Sequence, residues 1–254
     1  MLSVSNISKT YEKNKKKTIV LEGLNFDINN RDIFCIVGSS GCGKSTLLKI
    51  LASLEKQTMG EIYLDNKIIK NPDLNRLIIF QDFNQLFPWK TIIQNITFPL
   101  NMNKIGNSRT EREEIAMKYL SMVGLDKFFN YYPSELSGGM KQRASIARAL
   151  ALKPLILLMD EPFASLDAQN RTALQELLLD IWDKTKTTII FVTHDIQESI
   201  LLSNKIMVMG NAPNSLKKII NNTLKRPRDV TSKEFSEIYN DIYNEIKNDS
   251  LVDS

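Results

Sequence analysis

At 254 residues and 43% hydrophobic content, the chain can form one large domain or two small ones around a packed core, and is therefore globular. Its net charge of +4 is mild, and the one dense basic cluster, KNKKK at Lys13 to Lys17, reads as a solvated loop, with anionic lipid or a partner as the second reading. No apolar run approaches the roughly 18 to 20 residues that span a bilayer. The start MLSVSNISKT lacks a signal-peptide pattern, so the protein is expected to stay where it is made. Two cysteines, Cys35 and Cys42, exclude a disulfide framework and show no paired metal-ligand spacing, which fits a reducing cytosol.

In chain order, the first unbroken apolar run is DIFCIVG, ending at Gly38, followed by a helical pattern from Ser45 to Leu54. RLIIFQ, Arg76 to Gln81, is the next strand. Residues 82–150 then lack a convincing buried strand and read as an inserted helical subdomain. Within it Thr110 and Glu113 form a capping-box pattern, and Ala116, Tyr119, Leu120 and Val123 fall on one helical face. A helix is expected over Arg143 to Leu152, then the strand LILLMD to Asp160, a helix over Ala168 to Lys184 and the strand TTIIFVTHD. A helix from Ile196 to Ser203 and the strand KIMVMG complete the alternation. Runs apolar on both faces read as buried, largely parallel strands, so the fold class is α/β. After Gly210 the chain turns polar. Thr231 and Glu234 then box a last helix with the stripe Phe235, Ile238, Tyr239, Ile242, Tyr243 and Ile246.

GSSGCGKST, spanning Gly38, Ser39, Ser40, Gly41, Cys42, Gly43, Lys44, Ser45 and Thr46, follows a strand and opens a helix. That is the context of a phosphate loop. Glycines let backbone N–H groups converge on phosphate, Lys44 reaches the outer phosphates, and Ser45 can ligate Mg²⁺. Cys42 sits among these donors beside Lys44, which predicts a reactive thiol. LILLMDEP ends a buried strand in Asp160 and Glu161, where one carboxylate can orient the water shell of Mg²⁺ and the next can serve as general base. His194, the only histidine, ends another strand and is read as a group for the γ-phosphate and attacking water. Gln81 ends a third and can meet Mg²⁺ and water through its amide. The alternatives are a chance turn, a solvated acidic turn, a structural histidine and a buried hydrogen bond.

ELSGGMKQR, Glu135 to Arg143, supplies a second anion cradle, with Ser137, Gly138 and Gly139 before a helix. It lacks a lysine or metal ligand of the phosphate-loop kind, and would be complete if it capped an ATP held by another copy.

From Leu2 to Met209 the chain resembles the nucleotide-binding subunit of ABC transporters, carrying in the family's order an adenine-stacking aromatic at Tyr11, the phosphate loop, Gln81, LSGGM, LLMDEP, SLD at Ser165 to Asp167, and His194. The resemblance implies a P-loop NTPase core, RecA-like, with an antiparallel β part and the helical insert. It also implies ATP and Mg²⁺ as cofactors, with Ser45, Gln81 and Asp160 at the metal and Glu161, His194 and Gln81 in catalysis. Further, it implies a head-to-tail homodimer sandwiching two ATP, with Asp167 linking the sites, that drives membrane permease subunits and, indirectly, a solute-binding protein, with no nucleic acid partner. Such a subunit lies peripherally on the cytoplasmic face of the cell membrane.

Domain limits on this reading are 1–220 for the nucleotide-binding domain and 221–254 for a C-terminal helical tail. Met140 departs from the usual glutamine. Together with LFPW at Leu86 to Trp89 and RPRD at Arg226 to Asp229, it resembles the nitrate, sulfonate and taurine importer branch. Importers of pyrimidine precursors and quaternary amines are similar. A soluble ABC ATPase acting on ribosomes or DNA would need two nucleotide domains or a long coiled coil, and a non-hydrolysing module conflicts with Glu161 and His194. Leu86 to Trp89 lie where the family receives a permease helix, subdomain core being the alternative.

Overall fold

Unbroken apolar runs make the buried strands of this chain, and alternating runs make a half-buried sheet beside them. The computed structural model describes residues 1–13, 15–82 and 85–250, with side chains through 247. It divides into two units, Met1–Pro72 with Thr188–Ser254, and Asp73–Thr187. Asn14 of the basic run and the last four residues of the tail lie outside the described residues.

In the first unit, β1 (Leu2–Lys13) and β2 (Lys16–Ile28) form an antiparallel hairpin, extended by β4 (Met59–Leu64) and β5 (Lys67–Ile68) in the order β2-β1-β4-β5. Leu2, Val4, Leu24, Phe26 and Ile28 are buried while Ser5, Glu22 and Asn25 are exposed, the alternation of a sheet wet on one side. The lysine cluster is solvated as expected, with Lys13, Lys15, Lys16 and Lys17 exposed, but Lys13 ends β1, Lys15 is in a turn, and Lys16 and Lys17 begin β2.

The same unit holds a second sheet. Strands β3 (Ile33–Gly38), β8 (Thr188–Thr193) and β9 (Lys205–Met209) run parallel, and β10 (Leu216–Asn221) is antiparallel to β9. Every residue of β3 and β8 is buried. Helices α1 (Lys44–Leu51) and α6 (Ile196–Leu202) pack on β3 and β8, and α7 (Lys233–Ser250) packs on α6 and β9. The cap of α7 is Ser232, whose Oγ accepts the Phe235 N–H at 3.2 Å, rather than Thr231, whose hydroxyl donates to Asp229 at 2.7 Å.

Arg228 gives RPRD a structural role. Its Nη1 donates to the carbonyls of Ile200, Leu201 and Ser203 at 2.6, 3.0 and 2.8 Å, satisfying the open C-terminal end of α6. Burial, with neighbouring Arg226, pushes the Arg228 guanidinium down to about 10, still cationic at neutral pH.

The second unit pairs β6 (Arg76–Ile79) in parallel with β7 (Ile156–Asp160) and carries α2 (Ile92–Met102), α3 (Arg109–Met122), α4 (Gly138–Ala151) and α5 (Ala168–Thr185). Ala116, Tyr119, Leu120 and Val123 are buried, as their spacing predicts. The cap of α3 is Ser108, two residues before the expected Thr110, accepting from Glu111 N at 3.1 Å, while the Glu111 carboxylate accepts the Asn107 N–H at 2.7 Å in place of a reciprocal box. Helix α4 starts five residues before Arg143, because its first turn is built from glycines of low helix propensity.

Candidate active site

In the first unit, the phosphate-loop residues begin where β3 ends. Val37 pairs with Thr193 on β8 and Gly38 with Met209 on β9, so the C-terminal strand ends form one rim, the usual ligand edge of an open α/β sheet. Gly38 is required there, since a Cβ would lie 2.4 Å from the Met209 carbonyl oxygen. Gly43 has φ 99° and is the N-cap of α1, which has no side-chain cap bond. A helix start of this kind, preceded by glycine, turns its N–H groups toward the loop, the usual setting for an anion. Lys44 is only 6% exposed, and its Nζ donates to the carbonyls of Gly38 and Ser39, both at 2.8 Å. A buried cation thus donates to two neutral carbonyls of its own loop. These features suit a polyphosphate.

Cys42 corrects an expectation. It is 2% exposed, and its Sγ lies 3.0 Å from where a Cβ on Gly38 would stand, so the thiol fills the underside of the loop instead of meeting solvent. Cys35 is buried in β3, where burial and then nearby Glu198 push its thiol well up.

Tyr11, late in β1, donates its hydroxyl hydrogen to Glu55. His194 follows β8 directly and is exposed. Its neighbours are pinned: Thr193 Oγ1 donates to Glu198 Oε2 at 2.7 Å and accepts Asp195 N–H at 3.0 Å, and Asp195 Oδ1 caps α6 by accepting Glu198 N–H at 3.1 Å.

In the second unit, Ile79 pairs with Met159, so Gln81 and the Asp160–Glu161 pair leave the same end of β6 and β7. Asp160 is buried at the strand end. Glu161 has φ 44°, a left-handed conformation costing a non-glycine residue roughly 1–3 kcal/mol that functional sites retain. Gln81 is exposed in the bend after β6. That bend is shaped by Gln85, which accepts Phe80 N–H at 2.9 Å and donates to the carbonyls of Phe80 and Asp82, both at 2.6 Å.

Ser137 is the N-cap of α4, its Oγ accepting Met140 N–H at 3.3 Å, with Gly138 and Gly139 in the first turn. A Cβ on Gly139 would stand 3.6 Å from Asn170 Oδ1, which brings the LSGG turn against the start of α5. Asn170 also binds Asp167, donating its N–H at 3.0 Å and its Nδ2 hydrogen at 2.6 Å, and these bonds hold the Asp167 carboxyl below the usual range. Sequence reading missed Gln85, Asn170, Thr193 and Glu198, because each acts through a hydrogen bond that carries no motif of its own. The LFPW cluster divides: Leu86 is buried, whereas Trp89 is 70% exposed beside a cavity of about 670 Å³ lined also by Phe98, Arg109, Glu113 and Phe129.

The profile of the ABC transporter family matches residues 21–164. The chain belongs to the ABC transporter family. It is an ATP-binding-cassette ATPase with the P-loop NTPase fold. It is 45% identical over 237 residues to the aliphatic sulfonates import ATP-binding protein SsuB of Bacillus cereus, covering 93% of this chain and 92% of that one. It is 39% identical over 229 residues to the bicarbonate transport ATP-binding protein CmpD of Synechocystis, covering 90% and 81%. A solved dimeric ATP-binding cassette in a post-hydrolysis state, bound to ADP and Pi, matches with a TM-score of 0.77 and 32% identity, over 89% of this chain and 100% of that one. No helix among the described residues is long and apolar enough to cross a membrane.

Proposed function

We propose that this chain is the ATP-hydrolysing subunit of an importer, working as a head-to-tail homodimer on the cytoplasmic face of the membrane beneath separate permease subunits. The buried Lys44 cation at the start of α1, donating to the carbonyls of its own glycine-rich loop, is the observation that carries the ATP reading. Lys44 and the N–H groups of Ser39 to Thr46 bind phosphate, and Tyr11 stacks on the adenine. Glu161 takes a proton from the attacking water, and His194 and Gln81 orient that water and the γ-phosphate. Ser137, Gly138 and Gly139 cap the ATP of the partner copy, and Asp167 links the two sites.

Ser45, Gln81 and Asp160 are the donors for Mg²⁺. Mg²⁺ is a hard cation usually held by one or two protein oxygens together with nucleotide phosphates and water, which this small oxygen donor set fits. When bound, Mg²⁺ neutralises phosphate charge; the side chains above do the positioning.

The cargo is a small sulfonate, nitrate or taurine-type solute delivered by a solute-binding protein. The Bacillus relative, named for aliphatic sulfonate import, supports it. Exposed Trp89 is the contact to the permease.

Mixed dimers test the sandwich. Lys44→Ala paired with Ser137→Arg leaves one composite site, and ATP should be trapped there. A protomer carrying both changes opposite wild type leaves none. Trapping in the second pair but not the first overturns the arrangement.

A further inference from the structure

The Tyr11 ring is held by more than its own strand. Lys9 and Tyr11 lie on β1 where its register to β2 shifts, with irregularities on either side of Lys9. Lys9 Nζ stands 4.7 Å from the Tyr11 ring centroid, within cation–π range. The same ammonium pairs with Glu55 Oε1 at 3.0 Å and donates to the Lys56 carbonyl at 2.7 Å. Glu55 Oε1 is also the acceptor of the Tyr11 hydroxyl. One carboxylate oxygen thus holds both the rim of the ring and the cation over its face. The pair is more sheltered than an ordinary surface ion pair, at 13% and 22% side-chain exposure, while Tyr11 itself is 41% exposed.

We propose that Lys9 and Glu55 are positioning residues for nucleotide binding, fixing Tyr11 as a one-sided platform for the purine base of ATP. This rests on the reading of Tyr11 as the stacking residue. Lys9 covers one face, so the base takes the face turned away from the ammonium. Glu55 fixes the hydroxyl end, which sets the height of the platform from the segment that follows α1. Proton positions agree with this. Burial and then the bond to Glu55 raise Tyr11. Partial burial raises Glu55, but the bonds from Tyr11 and Lys9 outweigh it and the carboxyl is lowered. The phenol therefore remains the donor and the carboxylate the acceptor at neutral pH.

The test compares ATP with inorganic tripolyphosphate, which has the phosphates but no base. Dissociation constants are measured for the wild type, Lys9→Met, Glu55→Ala, Glu55→Gln, Tyr11→Ala and Tyr11→Ala with Lys9→Met, each checked for folding by thermal melting. Lys9→Met and Glu55→Ala should each weaken ATP about 3- to 10-fold, the scale of a ring or cation–π contact, and leave tripolyphosphate within about twofold. Glu55→Gln, which keeps an acceptor for Tyr11 but not the charge for Lys9, should fall between. Lys9→Met should add nothing once Tyr11 is gone. If Tyr11→Ala weakens ATP while Lys9→Met, Glu55→Ala and Glu55→Gln bind it normally, the positioning role is overturned and the stacking role stands. Equal losses for ATP and tripolyphosphate also overturn it, since the damage then lies in the phosphate loop. If Tyr11→Ala binds ATP normally, the stacking role itself fails and takes the inference with it.

Discussion

Thr193 and Glu198 are joined by a buried hydrogen bond of 2.7 Å that spans the exposed His194. Because Thr193 also takes the Asp195 N–H, both neighbours of His194 are fixed by one hydroxyl. Thr193→Val keeps the shape and removes that hydroxyl. On the proposed role of His194 in orienting the attacking water, turnover should fall on the order of 10²-fold while ATP binding persists. Leaving the buried Glu198 without this donor should also cost about 1–3 kcal/mol by urea denaturation. Unchanged turnover in a destabilised variant would make the bond purely structural.

Two glycines of the phosphate loop should respond differently to alanine. At Gly38 the new Cβ meets the Met209 backbone oxygen at 2.4 Å, and backbone cannot rotate aside. At Gly41 nothing lies within 4 Å, and only the φ of 87° opposes the change. Gly38→Ala should cost about 1–3 kcal/mol and distort the loop enough to weaken ATP binding. Gly41→Ala should cost only the left-handed backbone strain, roughly 1–2 kcal/mol, and leave the loop's path unchanged. Chemical denaturation and nucleotide titration of the two variants check this; equal losses would mean that the Met209 contact is not what makes Gly38 necessary.

Arg228 should matter for stability through α6. Arg228→Met keeps a long apolar stem but removes the donor shared by three carbonyls. A loss of about 2 kcal/mol is expected, as for hydrogen bonds to a charged group. Hydrogen exchange should locate it at Ile200 to Ser203; protection there equal to wild type would contradict the cap.

Asp167 gives a pH dependence. Bonds from the backbone and side chain of Asn170 hold its carboxyl below the ordinary 3.8, so folding favours the charged form. Its contribution is fully present above the unfolded value and is lost as pH falls through the lower folded value. The stability difference between wild type and Asp167→Ala should therefore shrink as acid denaturation is approached. A difference that grows on acidification would reverse the sign.

The apolar strands were legible because β3, β7, β8 and β9 are buried on both faces and read as unbroken runs. The β1–β2 hairpin was not read from its residues, since its alternation is interrupted by register shifts after Val4, Ile7 and Lys9. Helix starts slipped where several residues could cap: Ser108 won over Thr110, and Ser232 over Thr231, because the chain's entry decides which oxygen faces the open N–H groups. Motifs marked the phosphate loop and the carboxylate pair. They did not reveal what holds them, because Glu55 reaches Tyr11 across 44 positions and the burial of Cys42 depends on the closeness of Gly38.

Glu161→Gln probes the proposed role of Glu161 as the base for ATP hydrolysis within a nucleotide-sandwiched dimer. The amide keeps the shape of the carboxylate and cannot take the proton. Sedimentation with Mg²⁺ and ATP, combined with a count of bound nucleotide and a phosphate-release assay, reads both parts at once. The predicted result is a stable dimer holding two intact ATP molecules, with turnover lowered about 10²- to 10⁴-fold. Phosphate release near the wild-type rate would rule out Glu161 as the base, and an ATP-bound variant that stays monomeric would rule out the sandwich.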